Sequence, residues 1–219
     1  MNWSTPETVA GFASSPPNGV LMQFASAERG GRDRARVLDV GCGAARNAVP
    51  LALDGWEVVG TDASWPMLEA AARRRESHGL AGRLHLAQAT MAELPVGDGI
   101  ADLIVAHGIW NLAPSCTEFR AAVREAARAG RSGAALFVFT FSRHTLPEQV
   151  APVPGEPFVF TQFSGSPQCF LTRDQLLDEL AAAGFHPDPG VPLRELNRPT
   201  GILRPPGGPV IWEGTFRLA

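Results

Sequence analysis

Short apolar runs alternate with amphipathic segments over residues 36–141. Five runs have the length and the apolar character of buried strands, at residues 37–40, 57–61, 83–88, 101–106 and 134–141. Three segments between them space their apolar side chains as helices do, at residues 44–54, 65–78 and 117–129. This alternation predicts a parallel sheet that is covered by helices on both faces.

The remaining segments follow other patterns. Residues 142–170 carry five prolines among Phe158, Phe160 and Phe163, and such a long loop in a compact domain is usually functional. We therefore expect it to form a cap or lid over the carboxyl ends of the strands. A helix is predicted from residue 172 or 173 to 183, and the extended stretches 191–196 and 210–218 are predicted to pair antiparallel.

Together these patterns predict a single α/β domain over residues 1–219. Its sheet is expected to be Rossmann-like, doubly wound, mostly parallel and seven-stranded, with an antiparallel pair of strands at the C-terminal end. The expected parts are an N-terminal flap at 1–35, a core at 36–141, the cap at 142–170 and a helix with antiparallel strands at 171–219. Large apolar side chains in the flap indicate that it packs on the domain.

Composition narrows the chemistry. All 19 basic residues are arginines, and the chain has neither lysine nor tyrosine. A Schiff-base lysine, a P-loop lysine and a tyrosine acid or base are therefore excluded. Proton transfer is left to five histidines, three cysteines and the carboxylates.

Charge and cysteine usage bound the partners and the compartment. The net charge is −3, and the run at residues 73–75 is typical of a solvated helix end, so no nucleic-acid partner is expected. Cys42, Cys116 and Cys169 lack metal-ligand spacing, so we expect no metal and a reducing compartment. No leader pattern and no membrane-length apolar run is visible, so we expect a cytoplasmic protein without a membrane partner.

The strongest motif is a glycine turn between the first strand and the first helix. Gly41 and Gly43 allow a ligand to approach the backbone closely, and Asp62 stands 21 residues after Gly41 at the end of the second strand. An acid at that place binds ribose hydroxyls in nucleotide-binding α/β folds. A dinucleotide fingerprint requires a third glycine where Arg46 stands, which disfavours an NAD(P)-linked oxidoreductase but leaves it as the alternative.

The segments VLDVGCG and GTDAS resemble the class I S-adenosylmethionine-dependent methyltransferases over about residues 36–141. The resemblance implies S-adenosylmethionine as the cofactor. It places Gly41 and Gly43 beneath the methionine part and Asp62 at the ribose. The full set of residues expected at the cofactor is Asp39, Gly41, Cys42, Gly43, Asp62, Ala63, Ser64, Thr90, Met91 and His107.

Two positions depart from that family. Many members have a glycine where Ala45 stands, and many have an aspartate near the adenine where Thr90 stands. The Thr90 hydroxyl or the Met91 backbone is expected to replace that contact. A narrower resemblance, carried by residues 43–64 and 193–198, is to the tellurite-resistance group, with thiopurine methyltransferases as its relatives. It implies small, soft or aromatic acceptors, but Asn197 stands where that group often has a histidine.

The residues that follow the fourth and fifth strands are the candidates for the chemistry. We expect methyl transfer by in-line displacement to a small molecule, through a sulfur, selenium or tellurium, oxygen or nitrogen atom. His107 acts either as a base or through its backbone carbonyl, and His144 is a second base or an exposed loop residue. The expected substrate contacts are Trp110, Asn111, Arg143 and Arg198. Phe12, Phe24 and the cap phenylalanines either line the acceptor pocket or pack beneath the cap.

Two further possibilities stay open. Transfer to an acceptor that is already nucleophilic requires positioning alone, and a cofactor-binding protein without turnover is a non-catalytic alternative. The oligomeric state is not indicated by the sequence.

Overall fold

The computed structural model describes residues 5–30, 34–198 and 208–219. Two short 3-10 helices lie at Trp110–Leu112 and Arg143–Thr145. The α-helices are α1 Pro6–Ser14, α2 Gly19–Arg29, α3 Ala48–Leu53, α4 Trp65–Ser77, α5 Cys116–Ala129 and α6 Arg173–Ala181. The strands are β1 Arg36–Val40, β2 Glu57–Asp62, β3 Leu84–Gln88, β4 Ala101–His107, β5 Gly130–Phe141, β6 Val159–Phe160, β7 Gln168–Cys169, β8 Phe185–Pro187, β9 Arg194–Leu196 and β10 Ile211–Leu218.

The main sheet has the order β3-β2-β1-β4-β5-β10, with β8 and β9 on the far edge of β10. Strands β1 to β5 are parallel, and β10 runs antiparallel to β5, β8 and β9. The predicted parallel sheet with an antiparallel end is confirmed. The predicted count of seven is corrected to eight strands in seven positions, because β8 and β9 pair with different halves of the same edge.

Each face of the sheet buries its own core. On one face, Leu38 and Ile104 pack against α5 and α6. On the other face, Val37 and Leu103 pack against α2 and α3. Successive strand residues point to opposite faces, so near-continuous apolar runs are needed to fill both cores. The doubly wound arrangement is therefore confirmed.

The helix after the glycine turn is shorter than predicted. It was expected at residues 44–54, but α3 begins at Ala48. Gly41, Gly43 and Ala45 have φ angles of +69°, +53° and +59°, which a right-handed helix cannot contain. Strand β5 in turn begins at Gly130 rather than at residue 134, since Gly130 already pairs with Ala101.

The flap and the cap both contain regular structure. Helix α1 packs through Val9 and Phe12 against Met67 of α4 and Ala44 of the turn. In the cap, β6 and β7 form an antiparallel pair. Within the described residues, no helix is both long and apolar enough to cross a membrane.

Candidate active site

A cavity of about 370 Å³ lies at the carboxyl ends of β1, β2, β4 and β5. The chain winds away from β1 in one direction through β2 and β3, and in the other through β4 and β5, so this is the switch point where α/β sheets bind ligands. The cavity lining is Phe12, Asp39, Gly41, Cys42, Gly43, Ala44, Arg46, Asn47, Asp62, Ala63, Ser64, Met67, His107, Gly108, Ile109, Asn111, Leu112, Phe139, Phe141, Phe163, Ser164 and Gln168.

The glycine turn forms the floor of the cavity. A Cβ on Gly41 would lie 2.7 Å from the Ile109 side chain, so only glycine fits there. At Gly43 a Cβ would fit, because the nearest atom would be the Met67 sulfur at 3.9 Å. Glycine is favoured there by its positive φ. Cys42 is buried and its sulfur fills the gap above Gly60. The backbone of the turn is thus held open toward the cavity.

Asp62 is fixed at the end of β2 by backbone donors. Its Oδ2 accepts from the Gly43 N–H and its Oδ1 from the Ser64 N–H, both at 2.8 Å. Burial raises the pKa of this carboxyl, and the two hydrogen bonds oppose that shift. Each carboxylate oxygen has a further acceptor site, so the group can bind two adjacent hydroxyls, as a ribose presents them.

Asp39 is a buried acid on the same wall. It is 2% exposed, and no described residue donates a hydrogen bond to it. Burial raises its pKa to about 7, with Arg46 opposing the shift and Asp62 adding to it. A ligand ammonium would add a second positive charge beside that of Arg46. The carboxylates and the glycine cradle therefore fit S-adenosylmethionine, which carries an ammonium and a ribose.

His107 ends β4 with its ring stacked on Phe139 at 4.2 Å. Its Nδ1 lies 3.1 Å from Nη2 of Arg46 and its Nε2 lies 3.1 Å from Nδ2 of Asn18. Burial, followed by the Arg46 charge, lowers the pKa of His107 to about 3. The ring is therefore neutral at physiological pH and a poor general base.

Trp110 and Arg143 do not line the cavity, and their roles as substrate contacts stay predictions. Trp110 is fully buried in the core and packs edge-on against Phe119. The Arg143 guanidinium donates to the carbonyls of residues 146, 147, 148 and 150 and lies over Phe160. Its donors thus hold the cap rather than a substrate.

His144 and Arg198 are also outside the cavity lining. Both bind Glu195 of β9: the His144 Nδ1 lies 2.6 Å from Oε1, and the Arg198 Nη1 lies 3.2 Å from Oε2. Ser142 donates to the same carboxylate. The roles predicted for His144 as a base and for Arg198 as a substrate ligand stay predictions, since in this structure both side chains contact Glu195 of β9 and neither lines the cavity.

The predicted adenine contacts divide into two groups. Ala63 and Ser64 line the cavity, whereas Thr90 and Met91 do not. Thr90 pairs with Glu93 in a tight bridge, and Met91 packs against the core of α5. The contacts of Thr90 and Met91 with the adenine stay predictions.

Arg46 and Phe139 are the main site residues that the sequence did not indicate. Arg46 appeared only as a break in the dinucleotide fingerprint, and Phe139 only as part of an apolar strand. Among the candidate apolar contacts, Phe12 and Phe163 line the cavity, whereas Phe158 and Phe160 are buried in the protein. No group of three metal-ligating side chains occurs within the described ranges.

The comparisons with known proteins agree with this geometry. A family profile described as a methyltransferase domain matches residues 37–133. Over 166 residues the chain is 31% identical to a protein named demethylmenaquinone methyltransferase from Mycolicibacterium gilvum (strain PYR-GCK), with 68% of each chain covered.

Solved structures share the fold. The crystal structure of the cyclase SpnF has a TM-score of 0.62 and 25% identity; the match covers 81% of this chain and 59% of SpnF, less than two thirds of its length. The 1,6-didemethyltoxoflavin-N1-methyltransferase of Burkholderia thailandensis, with its namesake compound and S-adenosylhomocysteine bound, has a TM-score of 0.66 and 18% identity. That match covers 91% of this chain and 78% of the other.

These matches decide the cofactor and the family. The cofactor is S-adenosylmethionine, so the alternative of an NAD(P)-linked oxidoreductase is wrong. With 31% identity over two thirds of a methyltransferase and a glycine turn followed by Asp62 at the switch point, the chain belongs to the class I S-adenosylmethionine-dependent methyltransferases.

Proposed function

We propose that the protein transfers a methyl group from S-adenosylmethionine to a small-molecule acceptor inside the cavity. The observation that carries the proposal is that one cavity reaches from the glycine turn and Asp62 to Phe141 and Phe163 of the strand end and cap. Cofactor and acceptor therefore share a single enclosed space.

Each part of the cofactor has candidate partners. Asp62 would hold the ribose hydroxyls, Asp39 the ammonium, and Ala63 and Ser64 the adenine. Gly41 leaves room for the methionine part. When bound, the cofactor supplies an electrophilic methyl group on a sulfonium. The protein contributes alignment of the acceptor and exclusion of water.

The acceptor end favours a small molecule. The cavity has a volume of about 370 Å³ and is lined by Phe141 at the end of β5 and Phe163 in the cap. Cavities of this volume hold small molecules. Two relatives carry small-molecule acceptors in their names, demethylmenaquinone and 1,6-didemethyltoxoflavin. The tellurite and thiopurine resemblance implies soft or aromatic acceptors, and these two names favour the aromatic ones. Arg198, which could have bound an anionic acceptor, pairs with Glu195 and does not line the cavity.

Among the described residues, neither of the two predicted bases is suited to proton abstraction in the cavity. His107 is the one predicted base that lines the cavity, and its pKa of about 3 makes proton abstraction at neutral pH unfavourable. We therefore propose that the acceptor atom is nucleophilic before it binds and that transfer depends on positioning.

Calorimetry with S-adenosylhomocysteine tests the cofactor half of the proposal. Asp62→Ala should bind it about 10- to 100-fold more weakly, because two charge-assisted hydrogen bonds are lost. The control Asp174→Ala, at an exposed position of α6, should bind as the parent does. The proposal fails if the parent protein shows no binding, or if Asp62→Ala binds normally.

Formation of S-adenosylhomocysteine from S-adenosylmethionine with a panel of small acceptors tests the transfer half. Turnover with at least one acceptor is expected. Tight cofactor binding without turnover on any acceptor would favour the non-catalytic alternative.

A further inference from the structure

The ring of His107 meets a nitrogen of another side chain at each of its own two nitrogens. Nδ1 lies 3.1 Å from Nη2 of Arg46, and Nε2 lies 3.1 Å from Nδ2 of Asn18. A guanidinium has no acceptor, so Arg46 can bond only to a ring nitrogen that carries no hydrogen. The low pKa of His107 keeps the ring neutral at physiological pH, and a neutral imidazole has one such nitrogen. If Asn18 also offers a donor, the ring can accept from only one of its two neighbours.

The amide of Asn18 is held with its NH2 group toward His107. Its Oδ1 accepts from the Leu21 N–H at 3.0 Å and so caps α2. Its Nδ2 donates at 2.9 Å to Oε2 of Glu213, a buried carboxylate of β10 that also pairs with Arg194. The opposite orientation of the amide would place its oxygen against the carboxylate and its NH2 against the Leu21 N–H. Asn18 therefore offers a donor to His107.

Of the two donors beside the ring, Asn18 is the more firmly held. Its backbone N–H donates to Oδ1 of Asn47 at 3.0 Å, in addition to the two bonds of its side-chain amide. Arg46 has a long side chain, and among the described residues His107 is the one hydrogen-bond partner of its guanidinium. The guanidinium can thus turn aside without losing another bond, whereas Asn18 cannot. This difference favours a ring that accepts from Asn18 at Nε2 and carries its hydrogen on Nδ1.

Nδ1 is on the cavity side of the ring, because Arg46 and His107 line the cavity and Asn18 does not. The Nε and Nη1 of Arg46 have no hydrogen-bond partner among the described residues, and neither is enclosed by the protein. An Nδ1–H beside this guanidinium makes two donors that lack an acceptor. A ligand group with anionic oxygens supplies that acceptor, and a carboxylate has two such oxygens.

We propose that Asn18 is a positioning residue that keeps the hydrogen of His107 on Nδ1, and that this N–H and the Arg46 guanidinium together bind a carboxylate in the cavity. The inference rests on the proposed function, since the carboxylate belongs to the cofactor or to the acceptor. The methionine part of the cofactor carries a carboxylate next to the ammonium that Asp39 would hold. A carboxylate on the acceptor has the same chemistry, and the experiment distinguishes the two sources.

Nitrogen NMR of the ligand-free, histidine-labelled protein reports the tautomer, because protonated and unprotonated ring nitrogens have well-separated shifts. The signals of His107 are assigned by their loss in His107→Phe. In the parent we expect the hydrogen on Nδ1. Asn18→Ser keeps a side chain that caps α2 but removes the amide donor. Arg46 then remains as the donor beside the ring, so the hydrogen should move to Nε2.

Calorimetry separates the two sources of the carboxylate. S-adenosylhomocysteine is compared with its decarboxylated analogue, which keeps the ammonium, and benzoate is titrated into protein saturated with S-adenosylhomocysteine. If the cofactor supplies the carboxylate, Asn18→Ser should weaken S-adenosylhomocysteine about 3- to 10-fold and leave the decarboxylated analogue unchanged. If the acceptor supplies it, the same variant should weaken benzoate by that factor and leave S-adenosylhomocysteine unchanged.

Two further variants complete the test. Arg46→Met should weaken the same carboxylate ligand about 10- to 100-fold, because a charge-assisted hydrogen bond is lost. The control Thr172→Ser alters the N-cap of α6, which does not line the cavity, and should change neither the tautomer nor any Kd.

Several outcomes would overturn the inference. They are a hydrogen on Nε2 in the parent, an unchanged tautomer in Asn18→Ser, or parental binding of both S-adenosylhomocysteine and benzoate in Asn18→Ser and Arg46→Met. Equal weakening of S-adenosylhomocysteine and its decarboxylated analogue would also contradict it, because such a loss does not involve the carboxylate. Failure of the proposed function is a separate result. The parent would then not bind S-adenosylhomocysteine, whereas the tautomer is measured without any ligand.

Discussion

The two ends of the cavity are built in different ways. The cofactor end comes from two short stretches, residues 39–47 and 62–64, and backbone hydrogen bonds join them, such as that from Gly43 to Asp62. The proposed acceptor end draws Asn111, Phe141 and Phe163 from three separate segments. The cofactor end depends on the backbone conformation of two short stretches of sequence. The acceptor end depends on how segments that are distant in sequence pack together.

The largest expected effect is at the cofactor end. Gly41→Ala places a Cβ within 2.7 Å of Ile109 at a positive φ, so it should destabilise the protein by about 2–5 kcal/mol and weaken S-adenosylhomocysteine binding more than tenfold. Denaturant unfolding and calorimetry measure the two effects.

Gly79→Ala is the matched control, because Gly79 has a φ of +66° with nothing within 4 Å of a Cβ. It should cost only about 1–2 kcal/mol, from the backbone strain alone. Equal costs at both positions would contradict the close fit of the glycine turn.

A smaller effect is expected at the acceptor end. Arg143→Met removes four hydrogen bonds to cap carbonyls and should destabilise the protein by about 1–3 kcal/mol. Binding of an acceptor that the panel identifies as a substrate should weaken while S-adenosylhomocysteine binding stays within twofold. Arg173→Met, at an exposed arginine that begins α6, should alter neither. Parallel loss of both ligands would show that the two ends are coupled.

The smallest expected effect is on the pH dependence of cofactor binding. Asp39 has a pKa of about 7, and an ammonium ligand binds the ionised form. Affinity for S-adenosylhomocysteine should therefore fall by roughly tenfold as the pH drops from 7.5 to 6. Calorimetry across this range should show a flatter profile for Asp39→Asn.

The raised pKa of Asp39 also predicts in which direction the stability of the ligand-free protein changes with pH. The folded pKa of Asp39 lies above the ordinary aspartate value of 3.8, so its carboxyl binds protons more tightly in the folded state. Its contribution to stability is fully present below about pH 4 and is lost as the pH rises through about 7. A contribution from Asp39 that grows across that window would contradict burial as the main cause of its raised pKa.

Sequence reasoning succeeded where the signal is local. The alternation of strands and helices predicted the doubly wound sheet, and the glycine turn with Asp62 predicted the family and the cofactor. It failed at the start of α3, where it missed that Ala45 also adopts a positive φ. Many members of the family have glycine at that position. The sequence showed this departure, but it did not show that Ala45 keeps the positive φ that favours glycine.

The sequence alone identified the family and the cofactor. The glycine turn and the aspartate that follows it at a fixed spacing can both be recognised from the order of the residues. Tertiary structure decided the acceptor side. Trp110 is buried in the core, and His144 and Arg198 bind Glu195. The Oδ1 of Asn111 has no hydrogen-bond partner among the described residues. These outcomes depend on which side chains meet across the fold, and spacing along the chain does not determine that.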